Sequence, residues 1–204
     1  MFLLLGVDIG QRDRGLPFAR RVVLQGAERD GVGSDGQVFD PLLVRLGRFG
    51  GGASEAGRRL EKLFAETDGV KASFVENIAW FRWNKLLWNL PYNPVSVLGG
   101  GLDTRRMTDR GAVEALTRAL MEEVRLVAAA EGAELPETLV DRNVEFTRNF
   151  PPYKTSMLVD FEAGRRMEVE AILGNVYRLA QKHHISVPHM QTCYALLSAI
   201  AEKA

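Results

Sequence analysis

The stretch Trp83-Asn84-Lys85-Leu86-Leu87-Trp88-Asn89-Leu90-Pro91-Tyr92-Asn93-Pro94 decides how this chain is read. Lys85, Asn89 and Asn93 stand four residues apart, so in a helix one ammonium and two carboxamides project from the same face. Around them lie Trp80, Phe81, Trp83, Leu86, Leu87 and Trp88, and apolar residues on every side of a segment mark a buried helix. A buried lysine is costly unless a carboxylate or an anionic ligand compensates it. The plainer alternative is that Lys85 reaches solvent along its stem while Asn89 and Asn93, beside Pro91 and Pro94, cap or turn the chain.

A second cluster favours the first reading. The chain continues as Pro152-Tyr153-Lys154-Thr155-Ser156-Met157-Leu158-Val159-Asp160 and then Gly164-Arg165-Arg166-Met167-Glu168-Val169-Glu170-Ala171-Ile172-Leu173-Gly174. With these residues the chain resembles the ketopantoate reductases (2-dehydropantoate 2-reductases). That family carries a Lys-x3-Asn-x3-Asn helix, a Ser-Met-x2-Asp turn and an Arg-x-x-Glu helix start. The likeness runs from about Asn77 to the C-terminus, and Ser156 and Glu168 keep the family's separation.

Composition sets the bounds. The 204 residues suffice for one or two domains with a substantial core, and 46% apolar with 25% charged residues is ordinary for a globular protein. A formal net charge of zero offers no global field to attract nucleic acid or an acidic membrane. The lone Cys193 excludes an internal disulfide and fits a reducing, cytoplasmic setting; Met190, Leu196, Leu197 and Ile200 at helical spacing make it a small core residue. Met1 to Leu5 is apolar but too short for a signal peptide or a membrane span. His183, His184 and His189 lack the spacing of a metal site, and none is expected.

Two unequal sections follow from glycine use and periodicity. Of 20 glycines, those up to Gly57 break the front of the chain into short apolar runs. Strands are expected at Arg21–Gln25, Gln37–Phe39, Leu42–Leu46 and Val70–Phe74, and a helix capped by Ser54 through about Ala65. From Glu76 onward the pattern is helical. Val113, Leu116, Leu120, Val124 and Val127 form one stripe that Gly132 ends, and Val169, Ile172, Leu173, Val176 and Leu179 form another. Pro188 opens a last helix carrying Met190, Cys193, Tyr194, Leu197 and Ile200. The fold expected is therefore mainly α. By the resemblance, residues 76–204 form a helical substrate domain like the C-terminal domain of 6-phosphogluconate dehydrogenase. Residues 1–75 would be the truncated remainder of a nucleotide-binding Rossmann domain.

Gly31-Val32-Gly33-Ser34-Asp35-Gly36 matches the G-x-G-x-x-G letters of a dinucleotide loop. That loop works only between a strand and a helix whose N-terminus holds the pyrophosphate. Here Gln37-Val38-Phe39-Asp40-Pro41 follows, and Pro41 would break such a helix, so a loop between strands is the better reading. The opening Met1-Phe2-Leu3-Leu4-Leu5-Gly6-Val7 resembles a segment near the end of the family's nucleotide domain, with Leu5 where the family has an asparagine that meets substrate and nicotinamide. Poor anchoring of Met1 to Leu5 is expected, because its sheet neighbours would be lacking.

The resemblance implies reduction of ketopantoate to pantoate with NADPH. Charge develops on the carbonyl oxygen in that reaction, and a positioned ammonium can stabilise it and deliver the proton. Lys85 would hold this role, its pKa lowered by burial and raised again by nearby negative charge. Glu168 would stand beside it, and Asn89, Asn93 and Ser156 would bind the hydroxyl and carboxylate of a 2-keto or 2-hydroxy acid. Against this, Glu168 could favour the dipole of its helix and Ser156 could be an N-cap. Residues that bind cofactor are not identified, and hydride transfer needs a bound dinucleotide. A second reading therefore stands: a non-catalytic helical module that binds a small acid or forms a homodimer.

Overall fold

The computed structural model describes residues 22–28, 42–48, 50–68 and 70–202, with backbone alone for 22–28. The expected strand Gln37–Phe39, the glycine run Gly31–Gly36 and the opening Met1–Leu5 lie outside the described residues. The chain divides into two compact units, the first ending at Arg82 and the second beginning at Trp83.

The first unit holds a three-stranded sheet in the order β1 (Val22–Glu28), β2 (Leu42–Arg48), β3 (Val70–Phe74). β1 pairs antiparallel with β2, Val22 opposite Arg48, and the register slips between Gln25 and Glu28. β2 and β3 are parallel, Leu42 opposite Val70 and Leu46 opposite Phe74. Among the described residues, parallel pairing is thus confined to β2 and β3. Parallel pairing demands a crossover, and that crossover is helix α1 (Glu55–Ala65). Ser54 caps α1 as expected, its hydroxyl accepting from the Gly57 amide at 3.1 Å. Gly57 lies against the Phe74 ring so closely that a Cβ there would sit 2.2 Å from a ring carbon. The Glu61 carboxylate accepts from the Phe74 amide at 2.8 Å and so ties α1 to the strand beneath it.

Helix α2 (Ile78–Leu98) runs through both Pro91 and Pro94, correcting the alternative in which Asn89 and Asn93 turn the chain. Each proline removes an N–H, leaving the carbonyls of Leu87 and Leu90 without their helical donors. Two features offset this. Residues 89–97 are all buried, Leu90 and Tyr92 completely, so tertiary packing holds the helix. The Asn93 side chain also donates its Nδ2–H to the Asn89 carbonyl at 3.0 Å, adding a hydrogen bond beside the weakened turn. α2 stops at Gly99-Gly100-Gly101, where the amides of Gly101 and Leu102 both donate to the Ser96 carbonyl at 3.0 Å. Gly100 and Gly101 have φ of 76° and 90°, which side chains disfavour.

Helices α3 (Ala112–Ala130), α4 (Thr138–Asn149), α5 (Ser156–Glu162), α6 (Asn175–Lys182) and α7 (Pro188–Ala201) complete the second unit. Leu120, Val124 and Val127 are fully buried as the stripe required, but Val113 and Leu116 are half-exposed and Met121 and Thr117 occupy the core instead. Gly132, at φ 80°, ends α3. The second stripe buries Val169, Ile172, Leu173 and Val176, with a π-helical turn at Glu170–Gly174 leading into α6. Pro188 opens α7, whose Met190, Cys193 and Leu197 are buried while Tyr194 and Ile200 are half-exposed. The Glu123 carboxylate of α3 accepts from the His189 and Met190 amides at 2.9 and 2.8 Å, satisfying the start of α7.

Candidate functional site

Lys85, Asn89 and Asn93 lie on one stripe of α2, and the structure sorts them by environment. The Nζ of Lys85 is shielded from solvent although its stem is only half-buried. Asn89 is 5% exposed, and among the described residues its carboxamide makes no hydrogen bond. Asn93 is 2% exposed, and both its Nδ2 and its Oδ1 are hydrogen-bonded. Its Oδ1 accepts from the Met157 amide at 3.1 Å and from the Ser156 hydroxyl at 3.3 Å.

Ser156 and Met157 form the first turn of α5, so Asn93 joins the lysine helix to the Ser-Met segment across more than sixty positions of chain. The N-cap of α5 is Thr155 rather than Ser156: its hydroxyl accepts from the Leu158 amide at 3.3 Å. Ser156 is thereby freed of capping, and its half-buried hydroxyl turns toward α2. The preceding segment is fixed in turn. Thr104 donates its amide to the Tyr153 carbonyl and accepts the Tyr153 amide on Oγ1, both at 3.1 Å.

Glu168 is placed differently. It is exposed, and among the described residues it makes no hydrogen bond or ion pair, so Lys85 and Glu168 are not in contact here. It stands two residues before the π-helical turn, where negative charge suits the start of a helix, and its carbonyl accepts from the Ile172 amide at 3.1 Å. Arg165 pairs with Asp160 at 2.8 Å and is a surface residue, as is exposed Arg166.

Sequence reading missed the hydroxyls and aromatics that back this stripe. Ser96, eleven residues beyond Lys85 and three beyond Asn93, extends it by one turn and bonds Thr155 Oγ1 at 2.9 Å. The signal was its helical phase, which a small residue beside a glycine loop hides. Trp88 stacks on Tyr153 at 6.0 Å, contacts Tyr92 at 4.9 Å and donates Nε1–H to Thr147 at 2.8 Å. Burial pushes the Tyr92 phenol up to about 12 and raises that of Tyr153 further, so both stay neutral.

A carboxylate missed in the sequence anchors the wall behind them. Burial would raise the carboxyl of Glu114, but it accepts from Arg118 Nε at 2.9 Å, Arg148 Nη2 at 2.7 Å and the Arg110 amide at 2.8 Å. These donors win and hold it below the usual carboxylate range.

Residues able to hold a dinucleotide are harder to find. β2, Gly50-Gly51-Gly52, α1 and β3 make a strand–glycine loop–helix–strand unit, the setting in which pyrophosphate rests on a helix N-terminus. Its amides are taken, however: Gly51 donates to the Arg48 carbonyl, Gly52 to the Glu76 carbonyl and Gly57 to Ser54. Glu55 adds negative charge in the first turn of α1. The described residues therefore do not fit a dinucleotide phosphate. Among the described residues no group of three His, Cys, Asp or Glu is placed to hold a metal ion, and no helix is long and apolar enough to cross a membrane.

The stripe of α2 and the Ser-Met turn, now seen joined through Asn93, fall within the region that matches the C-terminal family of the ketopantoate reductases PanE/ApbA, residues 77–201. The chain belongs to that family. As a ketopantoate reductase relative it is 32% identical over 155 residues to a 2-dehydropantoate 2-reductase of Nostoc sp., covering 74% of this chain and 48% of that one. The crystal structure of 2-dehydropantoate 2-reductase from Methylococcus capsulatus superposes with a TM-score of 0.78 at 41% identity, covering 89% of this chain and 59% of the other. A ketopantoate reductase from Staphylococcus aureus, described as dimeric, has a TM-score of 0.70 at 28% identity, with 79% and 54% covered. The chain spans about half the length of the curated reductases it matches, 48% of the Nostoc protein and 52% of one from Mesorhizobium japonicum.

Proposed function

We propose that this chain supplies the substrate-holding and proton-donating residues for the NADPH-dependent reduction of ketopantoate to pantoate. Lys85 is the general acid: a shielded ammonium stabilises the developing oxyanion and hands it a proton. Asn89, with an uncommitted carboxamide, and Ser156, with a half-buried hydroxyl, bind the carboxylate and hydroxyl of the acid. Asn93 contributes its second Nδ2 hydrogen and sets the position of Ser156. Glu168, exposed and without a hydrogen bond or ion pair among the described residues, closes on the lysine or on a substrate hydroxyl when the acid is bound. The observation that carries the reading is the Asn93–Ser156 hydrogen bond, because it brings the two sequence motifs to one place.

The test is binding of pantoate to the purified chain by differential scanning fluorimetry and calorimetry. A ligand selective for the folded state at a hundred times its Kd adds about 2.7 kcal/mol. Pantoate is expected to raise the Tm of the wild-type chain, and Lys85→Ala to abolish the rise. No shift with the wild type at millimolar pantoate refutes the proposal. NADPH oxidation with ketopantoate, run alongside, reads whether holding the acid is accompanied by turnover.

A further inference from the structure

A pair of hydroxyls lies behind the site in a place that water does not reach. Ser96 is 0% exposed and Thr155 is 1% exposed, and their oxygens are 2.9 Å apart. Burying a hydroxyl is unfavourable unless it is bonded, yet replacing both members of such a pair by apolar groups is close to neutral. Fold stability accounts for the Thr155 hydroxyl, which caps α5, but gives little reason for a second hydroxyl at Ser96. Their connections suggest what they do. The Ser96 carbonyl closes the glycine turn after α2 through Gly101 and Leu102, so its backbone is fixed. The Thr155 hydroxyl caps the Leu158 amide, and its carbonyl accepts from the Val159 amide at 3.0 Å.

α2 thus grips α5 twice, one turn apart. Asn93 holds Ser156 and Met157, and Ser96 holds the cap residue just before them. A single bond between two helices leaves rotation about it, whereas two bonds at neighbouring residues fix both the distance and the direction of the first turn. That turn carries the Ser156 hydroxyl.

Resting on the substrate-holding role proposed above, we infer that Ser96 is a positioning residue for Ser156: through Thr155 it fixes the first turn of α5 so that the Ser156 hydroxyl stays aimed at the acid. Ser96 touches no substrate. Its removal leaves the first turn of α5 held to α2 by the Asn93 bonds, and Ser156 then samples directions that do not bind.

Three variants of the full chain test this: Ser96→Ala, Thr155→Ser and Ser96→Ala/Thr155→Val. Two readouts are used, pantoate affinity by calorimetry and amide hydrogen exchange of Met157 and Leu158 in the unliganded protein. Ser96→Ala is expected to weaken pantoate about tenfold and to speed exchange at Met157 by a similar factor, the scale of one unmet buried hydroxyl. Exchange at Val124 and Leu173 in the core should not change. Thr155→Ser keeps the hydroxyl and should behave as wild type. The double variant removes the α5 cap together with the hydroxyl pair, so it should bind pantoate no better than Ser96→Ala and melt no higher. Wild-type affinity in Ser96→Ala overturns the inference, and so does unaltered Met157 exchange. If wild-type chain itself fails to bind pantoate, the substrate reading falls, and the exchange at Met157 alone decides whether Ser96 orders the turn.

Discussion

Asn93→Ala separates a residue that only meets substrate from one that builds the site. A pure substrate ligand can be removed from the unliganded protein with little loss, and often with a gain. Asn93 is different, because its Oδ1 is the acceptor for the Met157 amide of a residue that is 2% exposed, and its Nδ2 donates to the Asn89 carbonyl. A buried N–H left without an acceptor costs about 1–3 kcal/mol, and the lost donor to Asn89 adds about 0.5–1 kcal/mol. The half-buried Ser156 hydroxyl can turn to water and adds little. The total is roughly 2–4 kcal/mol, which for a chain of this size lowers Tm by about 5–15 °C. The matched control is Asn89→Ala, one turn away and also buried, whose side chain has no hydrogen bond to lose among the described residues. We expect its unliganded Tm to stay within about 3 °C of wild type, since under about 1 kcal/mol is at stake, while pantoate binding is lost. Urea melts at constant m-value give the free energies directly. Equal stability of Asn93→Ala and Asn89→Ala would refute the reasoning, because the structure makes them unlike.

Two further outcomes follow from buried groups. Glu114→Gln should cost about 2–4 kcal/mol at pH 7, as expected when one partner of a buried ion pair is removed and Arg118 and Arg148 keep other partners in Asp141 and Glu145. The folded carboxyl of Glu114 lies below its unfolded value, so its stabilisation is present above the unfolded pKa near ~4.3 and is lost as pH falls through the folded one. The gap between wild type and variant should therefore shrink between pH 5 and pH 2 in urea melts; a gap constant with pH would show that the charge is not what stabilises. The Cys193 thiol, raised to about 11 by burial first and by nearby Glu123 second, should resist disulfide reagents at pH 8 until urea opens the chain, and fast labelling of native protein would contradict its place in the core.

How much of this was legible in the sequence depends on which force sets each feature. Ser54 as a cap, Gly132 as a stop and Pro188 as a start were readable because each acts within one turn of chain. The lysine stripe was readable because helical phase is a local property. The persistence of α2 through Pro91 and Pro94 was not, since local chemistry there says turn and only burial of residues 89–97 overrules it. Strand pairing was not legible for a similar reason: strand runs announce themselves, but the antiparallel pairing of β1 with β2 is fixed by non-local contacts. Thr155 took the cap that Ser156 was offered, although both are good caps and the sequence cannot rank neighbours. Glu114 hid inside an amphipathic stripe, where an acid reads as a solvated face until two arginines from different places are seen to converge on it.

The same distinction bears on Glu168. Four of the five residues singled out by resemblance sit on elements whose geometry is fixed by buried bonds, and Glu168 alone does not. It precedes a π-helical turn in which Gly174 packs against the Glu170 side chain, while Glu170 itself is held by Arg178 at 2.8 Å and by Tyr194 at 2.5 Å. These ties hold the acid two positions on, whereas Glu168 is exposed and has no such tie among the described residues. A carboxylate that were already locked against Lys85 would neutralise the charge meant for an anionic acid and would have to be displaced before binding. One that stands in solvent, its backbone bonded to Ile172, can still be drawn in by a hydroxyl. An exposed Glu168 in the unliganded chain is thus consistent with a residue used after the acid has arrived, and the rigid half of the site is the half that must recognise it first.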